Sequence, residues 1–337
     1  MGIENIRILN LTNDELHDIK FPEPIYSIDI MKNPEYNTNI LRFSYTSFIT
    51  PQSIFDYNMD TKIRELKKQD EVGGCYNPRD YQSERIFAEA SDGTEIPISI
   101  VYKKGMIRDG KNPLLMYGYG YGAVSYVPKF DINILVLLDR GFIYAISHIR
   151  GGGMLGTSWY EQGKLLNKKN SFTDFIACAE YLINEKYTSC DKLVVKGESS
   201  GGLLMGVVVN MKPDLFKAVI ANVPWMDVLS SGDQGELGTS NNIDHYYYMK
   251  SYSPYDNVES MEYPNILVTA GLEDANVAYW HAAKWIAKLR ALKTDNNLLL
   301  LKTNMVAGHG GSSGRYNRLK DVAFEYAFIL NALRIDE

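Results

Sequence analysis

Residues 197–201 read Gly-Glu-Ser-Ser-Gly, a G-x-S-x-G run that sets Ser199 between a strand-like stretch, KLVVKG, and a helix-like stretch, GLLMGVVVNM. A serine hydroxyl is a weak nucleophile until a base takes its proton, so the run has chemistry only in company. Exposing such a serine on a sharp strand-to-helix turn requires glycines where side chains would strike the neighbouring strand and helix. The helix N-terminus that follows also favours negative charge developing nearby. An ordinary glycine-rich turn could carry the same letters, but the flanking strand and helix favour a nucleophile elbow.

The sequence offers five histidines as a base: His17, His148, His245, His281 and His309. His17 belongs to a β-rich N-terminal region, His148 ends a strand, and His245 lies in the polar segment NNIDHYYYM. His281 falls within a helical run and is expected on its surface. His309 sits in VAGHGGSSGR, a glycine-rich loop after the last strand, where a hydrolase of Ser…Asp…His order carries its base. The orienting acid must lie between the two, and NILVTAGLEDANVAYW supplies Asp274 just beyond a strand, with Glu273 as its rival. Asp274 could equally cap the helix that starts near Val277.

A tetrahedral oxyanion needs two donors, each contributing roughly 3 kcal/mol. The Ser200 N–H, next to the nucleophile, is one. The second should come from the loop MYGYGYGAVSY after an early strand. Gly118-Tyr119-Gly120-Tyr121-Gly122-Ala123 also imitates the G-x-G-x-x-A of dinucleotide sites, but VSYVPKF follows it where a helix would be required. RGGGMLG at 150–156 likewise lacks the spacing of a phosphate cradle.

These residues need a scaffold that brings distant loops to one rim. From about residue 87, apolar runs recur at IPISIVYKK, PLLMYG, FIYAISHI, KLVVKG, AVIANVP, NILVTAG and LLLLKT, with amphipathic stretches between most of the later ones. That alternation predicts an α/β domain over 87–337, a mostly parallel sheet with helices on both faces. SFTDFIACAEYLINEKY opens with Ser171 and Asp174 in capping-box-like positions. Residues 1–86 instead read as short alternating strands divided by TND, NPEYNTN and TPQ, a partial propeller or a β-extension.

The 337 residues are 45% hydrophobic and 23% charged, with a net charge of −6, which leaves no basic footprint for nucleic acid. Three cysteines, Cys75, Cys178 and Cys190, have no metal-ligand spacing and fit a reducing compartment. No apolar run reaches the roughly eighteen residues a membrane span needs, so the expected location is cytoplasmic.

Beyond the single motifs, the sequence resembles the prolyl oligopeptidase family of serine peptidases, and within it the oligopeptidase B branch. The likeness runs through LLDRGF, AISHIRGGG, GESSGGLLMG, MKPDLFKAVIANVP, YYYMKSYSPYDNV, YPNILVTAGLEDANVAYW and LLLLKTNMVAGHGGSSGRYNRL. The resemblance implies an α/β-hydrolase domain with a Ser199, Asp274 and His309 triad. It also implies the Tyr119 hydroxyl as the second oxyanion donor beside Ser200, and no metal or organic cofactor. The implied reaction is hydrolysis of short peptides after Arg or Lys through an acyl-enzyme.

Several departures qualify that expectation. Family members are about twice as long and carry a complete propeller. The missing blades are therefore expected in a separate chain, lost, or cut off, and a homo-oligomer is a further option. The basic side chain of a substrate is read by two glutamates before E-W-G-N-P, whereas this chain has the shorter DVLSSGDQGELGTSNN. Asp233 takes the first position, Gly235 the second, and Glu236 stands nearby, so Asp233 and Glu236 are the substrate-binding candidates. Val127 and Lys129 occupy positions where a second basic residue would meet aspartates, Met154 replaces a glutamate after RGGG, and Glu198 puts a carboxylate beside the nucleophile. Depleted recognition carboxylates leave a broader esterase or acyl-peptide hydrolase, or a subunit needing a propeller chain, as alternatives.

Overall fold

A computed structural model of the chain describes residues 2–231 and 235–335. Short alternating runs at the N-terminus form strands too brief to stand alone, and each finds an antiparallel neighbour. Strands β1 (Arg7–Leu9) and β2 (Leu16–Asp18) make a ribbon. Strands β3 (Ser27–Ile30), β4 (Ile40–Thr46), β5 (Ser53–Asn58) and β6 (Arg64–Gln69) form a four-stranded antiparallel sheet in sequential order. Ile6 and Ile19 from the ribbon pack with Ile28, Phe43, Tyr45 and Tyr57, so ribbon and sheet share one small core.

The second sheet has eight strands among the described residues: β7 (Tyr81–Glu89), β8 (Glu95–Lys103), β9 (Leu114–Tyr117), β10 (Ile143–Ser147), β11 (Leu193–Glu198), β12 (Ala218–Asn222), β13 (Asn265–Gly271) and β14 (Leu299–Asn304). Their spatial order is β14-β13-β12-β11-β9-β10-β8-β7, parallel from β14 to β10 and antiparallel beyond. The sheet thus begins at Tyr81, inside the residues the sequence assigns to the N-terminal β-region. The alternating Tyr81–Glu89 reads like the strands before it, and only its nine-residue pairing with β8 reveals its allegiance.

Among the described residues seven α-helices accompany the sheet: α1 (Ile132–Leu138), α2 (Thr157–Glu161), α3 (Lys169–Asn184), α4 (Ser200–Met211), α5 (Ile243–Lys250), α6 (Trp280–Leu292) and α7 (Arg315–Leu333). Period-two alternation divides each central strand between two cores. Leu193 and Val195 of β11 face the side of Phe175, Leu204 and Trp285, which come from α3, α4 and α6. Val194 faces the side of Leu137, Phe328 and Ile329, from α1 and α7. A strand buried on both faces must be apolar throughout, and each such aliphatic side chain contributes about 1.5–3 kcal/mol.

Ser171 and Asp174 do not cap α3, which starts at Lys169 without a side-chain cap. Both lie inside the helix and serve Arg150. The Ser171 hydroxyl donates to the Arg150 carbonyl at 2.6 Å, and the Asp174 carboxylate accepts from the Arg150 guanidinium at 2.6 and 2.9 Å. Asp92 takes the remaining arm of the guanidinium at 2.6 Å. The first turns of α3 are thereby tied to the loop that follows β10.

Candidate active site

The six parallel strands end at the same rim, and loops that follow them carry the residues singled out in the sequence. Ser199 follows β11 and immediately precedes α4, with φ 54° and ψ −115°, a conformation disfavoured for a residue bearing a Cβ. The turn is held by the Ser199 N–H donating to the Asn222 carbonyl at 2.9 Å, and by the Trp225 N–H donating to the Ser199 carbonyl at 3.3 Å. A Cβ on Gly197 would collide with the Gly201 carbonyl, and one on Gly201 would lie 2.7 Å from the Gly118 carbonyl. Both flanking glycines are therefore required by backbone approach.

The loop after β13 presents Asp274, whose side chain is fully buried. One carboxylate oxygen accepts the N–H groups of Asn276 and Val277 at 2.9 and 2.8 Å. The other lies 2.8 Å from His309 Nδ1, in the loop after β14. Asp274 does not cap a helix, since α6 starts only at Trp280 with no side-chain cap; one of its oxygens holds the turn ahead of that helix and the other meets the histidine. His309 keeps a quarter of its side chain exposed and lines a cleft of about 660 Å³ together with Ser199, Ser200 and Tyr119.

Tyr119 lies in the loop after β9. Burial pushes its phenol above the usual range, with the hydroxyls of Ser200 and Ser199 working against the shift, so it remains a proton donor at neutral pH. Ser200 opens α4, where a helical N–H has no partner one turn back. The Gly118–Ala123 run opens no helix, since α1 begins only at Ile132.

The remaining histidines are engaged elsewhere. His17 meets the Tyr57 hydroxyl at 2.8 Å, buried His148 meets the Ser99 hydroxyl at 2.7 Å, and His245 accepts the Thr239 N–H at 3.4 Å. His281 is not on the surface of its helix. It is 7% exposed, lines the cleft, and accepts the Asp227 N–H at Nδ1, 3.1 Å away. Burial lowers its basicity, against the attraction of Asp227, whose carboxylate also binds Lys284. Trp225 and Trp280 complete an aromatic wall that the motifs had not indicated.

The substrate-binding candidates part company. Asp233 lies outside the described residues. Glu236 is in the interior: its carboxylate accepts the Gly122 N–H at 2.6 Å and pairs with Lys168 at 3.2 Å, so it is not free to meet a substrate cation. The Glu198 carboxylate accepts hydroxyl protons from Tyr126 at 2.9 Å and Tyr117 at 3.2 Å. It lines a smaller cavity of about 250 Å³ behind the His309 loop, with Lys196, Asp321 and Glu325.

Residues 128–336 match the prolyl oligopeptidase family, and residues 1–70 match the N-terminal β-propeller domain of prolyl oligopeptidase. The chain is 42% identical to Protease 2 of Moraxella lacunata over 99% of its own length and 50% of that protein. It is also 42% identical to dipeptidyl aminopeptidase BI of Pseudoxanthomonas mexicana, over 99% of this chain and 47% of the other. Oligopeptidase B from Trypanosoma brucei, solved with covalently bound antipain, superposes with a TM-score of 0.92 at 40% identity, covering 100% of this chain and 50% of that one. The chain thus spans about half the length of the curated relatives it matches.

Proposed function

The chain belongs to the prolyl oligopeptidase family of serine peptidases, and on that premise we propose that it hydrolyses peptide bonds of short peptides through an acyl-enzyme on Ser199. The observation that carries the proposal is the contact of 2.8 Å between His309 Nδ1 and buried Asp274, with His309 lining the same cleft as the strained Ser199 turn.

Asp274 holds the imidazole with its Nδ1 proton directed at the carboxylate, leaving Nε2 to take the Ser199 proton. The Ser199 oxygen then bonds to the scissile carbonyl carbon, and the carbonyl electrons move onto an oxygen met by the Ser200 N–H and the Tyr119 hydroxyl. Collapse breaks the C–N bond as His309 returns its proton to the leaving amine. Water repeats the sequence on the ester: His309 takes a water proton as the water oxygen bonds to the acyl carbon, then the C–O bond to Ser199 breaks, the carboxylic acid leaves and His309 returns the proton to the serine.

For the residue before the scissile bond, the proposal is Arg or Lys, supported by the oligopeptidase B likeness and by Asp233 at the first recognition position. The second recognition position is Gly235, and Glu236 is committed to Lys168. Among the described residues lining the cleft there is no carboxylate, and Trp225 and Trp280 flank it. That favours a second reading, broader esterase or acyl-peptide hydrolase activity. The outer edges of β3 and β6 have no strand partner among the described residues, which supports further propeller sequence packing there, in the same or another chain.

A fluorophosphonate probe tests the chemistry. Labelling of the wild type at Ser199, lost in Ser199→Ala, is the expected result. A folded protein that takes no label, or a Ser199→Ala variant that still turns over peptide anilides, removes the proposal. Anilides with Arg, Lys, Pro or Phe before the leaving group, beside a simple aryl ester, separate the peptidase from the esterase.

A further inference from the structure

The loop that carries Tyr119 rests on a buried ion pair for which the hydrolytic chemistry has no direct use. Lys168, just before α3, has a side chain only 2% exposed. Its ammonium donates to the Gly120 carbonyl at 2.6 Å and to one Glu236 carboxylate oxygen at 3.2 Å. The other Glu236 oxygen accepts the Gly122 N–H at 2.6 Å. The pair therefore grips the loop backbone on both sides of Tyr121, whose ring centroid lies 5.1 Å from the ammonium. The Glu236 carbonyl in turn accepts the Leu165 N–H at 2.7 Å, fixing the acid to the turn that leads into Lys168.

Burying two charges is unfavourable, and apolar residues of similar volume often fill such a space as well or better. Here burial pushes the Lys168 ammonium down and the Glu236 carboxyl up, each against the pull of its partner. An apolar pair could fill the volume but could not hold a carbonyl and an amide at once. The loop needs such holding: Gly120, Gly122 and Ala123 all adopt positive φ, at 67°, 65° and 54°, where no strand ladder sets the path.

We propose that Lys168 and Glu236 position the oxyanion hole, fixing the Gly118–Gly122 backbone so that the Tyr119 hydroxyl stands beside the Ser200 N–H. The proposal rests on the serine hydrolase chemistry set out above. Neither residue touches the substrate; both act through the loop, as positioning residues.

The test is a double-mutant cycle on the full chain, with the paired replacement Lys168→Met/Glu236→Leu made in wild-type and Tyr119→Phe backgrounds. The paired variant is expected to fold, because the cavity stays filled, with a Tm lowered by the unpaired Gly120 carbonyl and Gly122 amide. Its kcat on an activated peptide anilide should fall by about ten- to a hundredfold with KM little changed, the scale of a misplaced catalytic group. In the Tyr119→Phe background the same replacement should cost less than about twofold, since the donor it positions is gone. Losses that multiply in full across both backgrounds, or a folded paired variant with undiminished kcat, overturn the proposal.

Should the paired variant not fold, Glu236→Gln replaces it in the cycle. Glutamine can still accept the Gly122 N–H but no longer carries the charge that binds Lys168, and the same non-additivity with Tyr119→Phe is expected. Turnover that survives Ser199→Ala overturns the hydrolytic chemistry and this proposal together. Turnover that Ser199→Ala abolishes, with additive losses in the cycle, overturns the positioning role alone.

Discussion

Asp274 divides its two carboxylate oxygens between its own turn and His309: one accepts the Asn276 and Val277 amides, the other stands 2.8 Å from the imidazole Nδ1. The turn fixes the carboxylate before any histidine arrives, so the imidazole meets a rigid acceptor. Asp274→Asn keeps the shape and one acceptor oxygen for the turn, but offers Nδ1 an amide NH2 that selects the other tautomer. We expect a folded protein whose kcat drops by about four orders of magnitude. Steady-state kinetics with a matched thermal melt checks this, and a loss below tenfold would show that Asp274 does not orient the base.

Tyr119→Phe removes one oxyanion donor and leaves the ring packed against Tyr126, 5.1 Å away between centroids. The expected loss is about 10²–10³ in kcat with KM nearly constant. Because burial raises the phenol above its ordinary value of 10.0, Tyr119 gives up its proton later than a free phenol as pH rises. Wild-type kcat should therefore show no descending limb near pH 10 that Tyr119→Phe abolishes. Finding such a limb would mean that the phenol ionises in its ordinary range.

The order Ser199, Asp274, His309 was legible because each residue sits in a loop directly after an apolar run, and parallel strands deliver such loops to one rim. What escaped were partnerships across long sequence separations. Lys168 and Glu236 are 68 residues apart; the sequence offers Glu236 as a substrate-binding acid, and no motif marks Lys168 as its partner. Ser171 and Asp174 imitate a helix cap by spacing, but Arg150 draws both inward. The burial of His281 did leave a signal: it stands four residues before the fully buried Trp285, on the same face of α6. Residues 81–86 are read with the N-terminal region because strand alternation does not say which sheet a strand enters, whereas the pairing with β8 starts at Tyr81.

His148 gives a stability prediction. Burial holds its folded-state basicity well below the ordinary 6.5, with the Arg85 charge adding to the effect. Below pH 6.5 the unfolded chain binds a proton at this position that the folded chain refuses. Folding stability is thus complete above that pH and declines as pH falls, by up to about 1.4 kcal/mol per unit. His148→Gln retains a hydrogen-bonding group for the Ser99 hydroxyl and should flatten the decline between pH 6.5 and 5 in urea melts. His281, lowered by burial in the same sense, leaves a smaller residual slope. An unchanged slope in His148→Gln would show that the histidine is protonated in the fold.

Selectivity for a basic residue separates Asp233 from Glu236. The cleft beside Ser199 is lined by Trp225, Trp280, Val277 and neutral polar groups, so its described walls discriminate by shape and aromatic contact rather than by charge. A guanidinium entering it gains a full charge partner only from outside that lining, and Asp233, three residues after Ser230 in the sequence, is the acid at the first recognition position. A charge-assisted hydrogen bond contributes about 1.5–3 kcal/mol, so Asp233→Asn should lower kcat/KM for an Arg anilide roughly 10- to 100-fold and leave a Phe anilide nearly unaffected. Glu236→Gln should instead depress both substrates alike, because its carboxylate faces Lys168 and the Gly122 amide rather than the cleft. If Asp233→Asn leaves the Arg-to-Phe ratio unchanged, the aromatic walls alone set the preference, and the broader hydrolase becomes the better description.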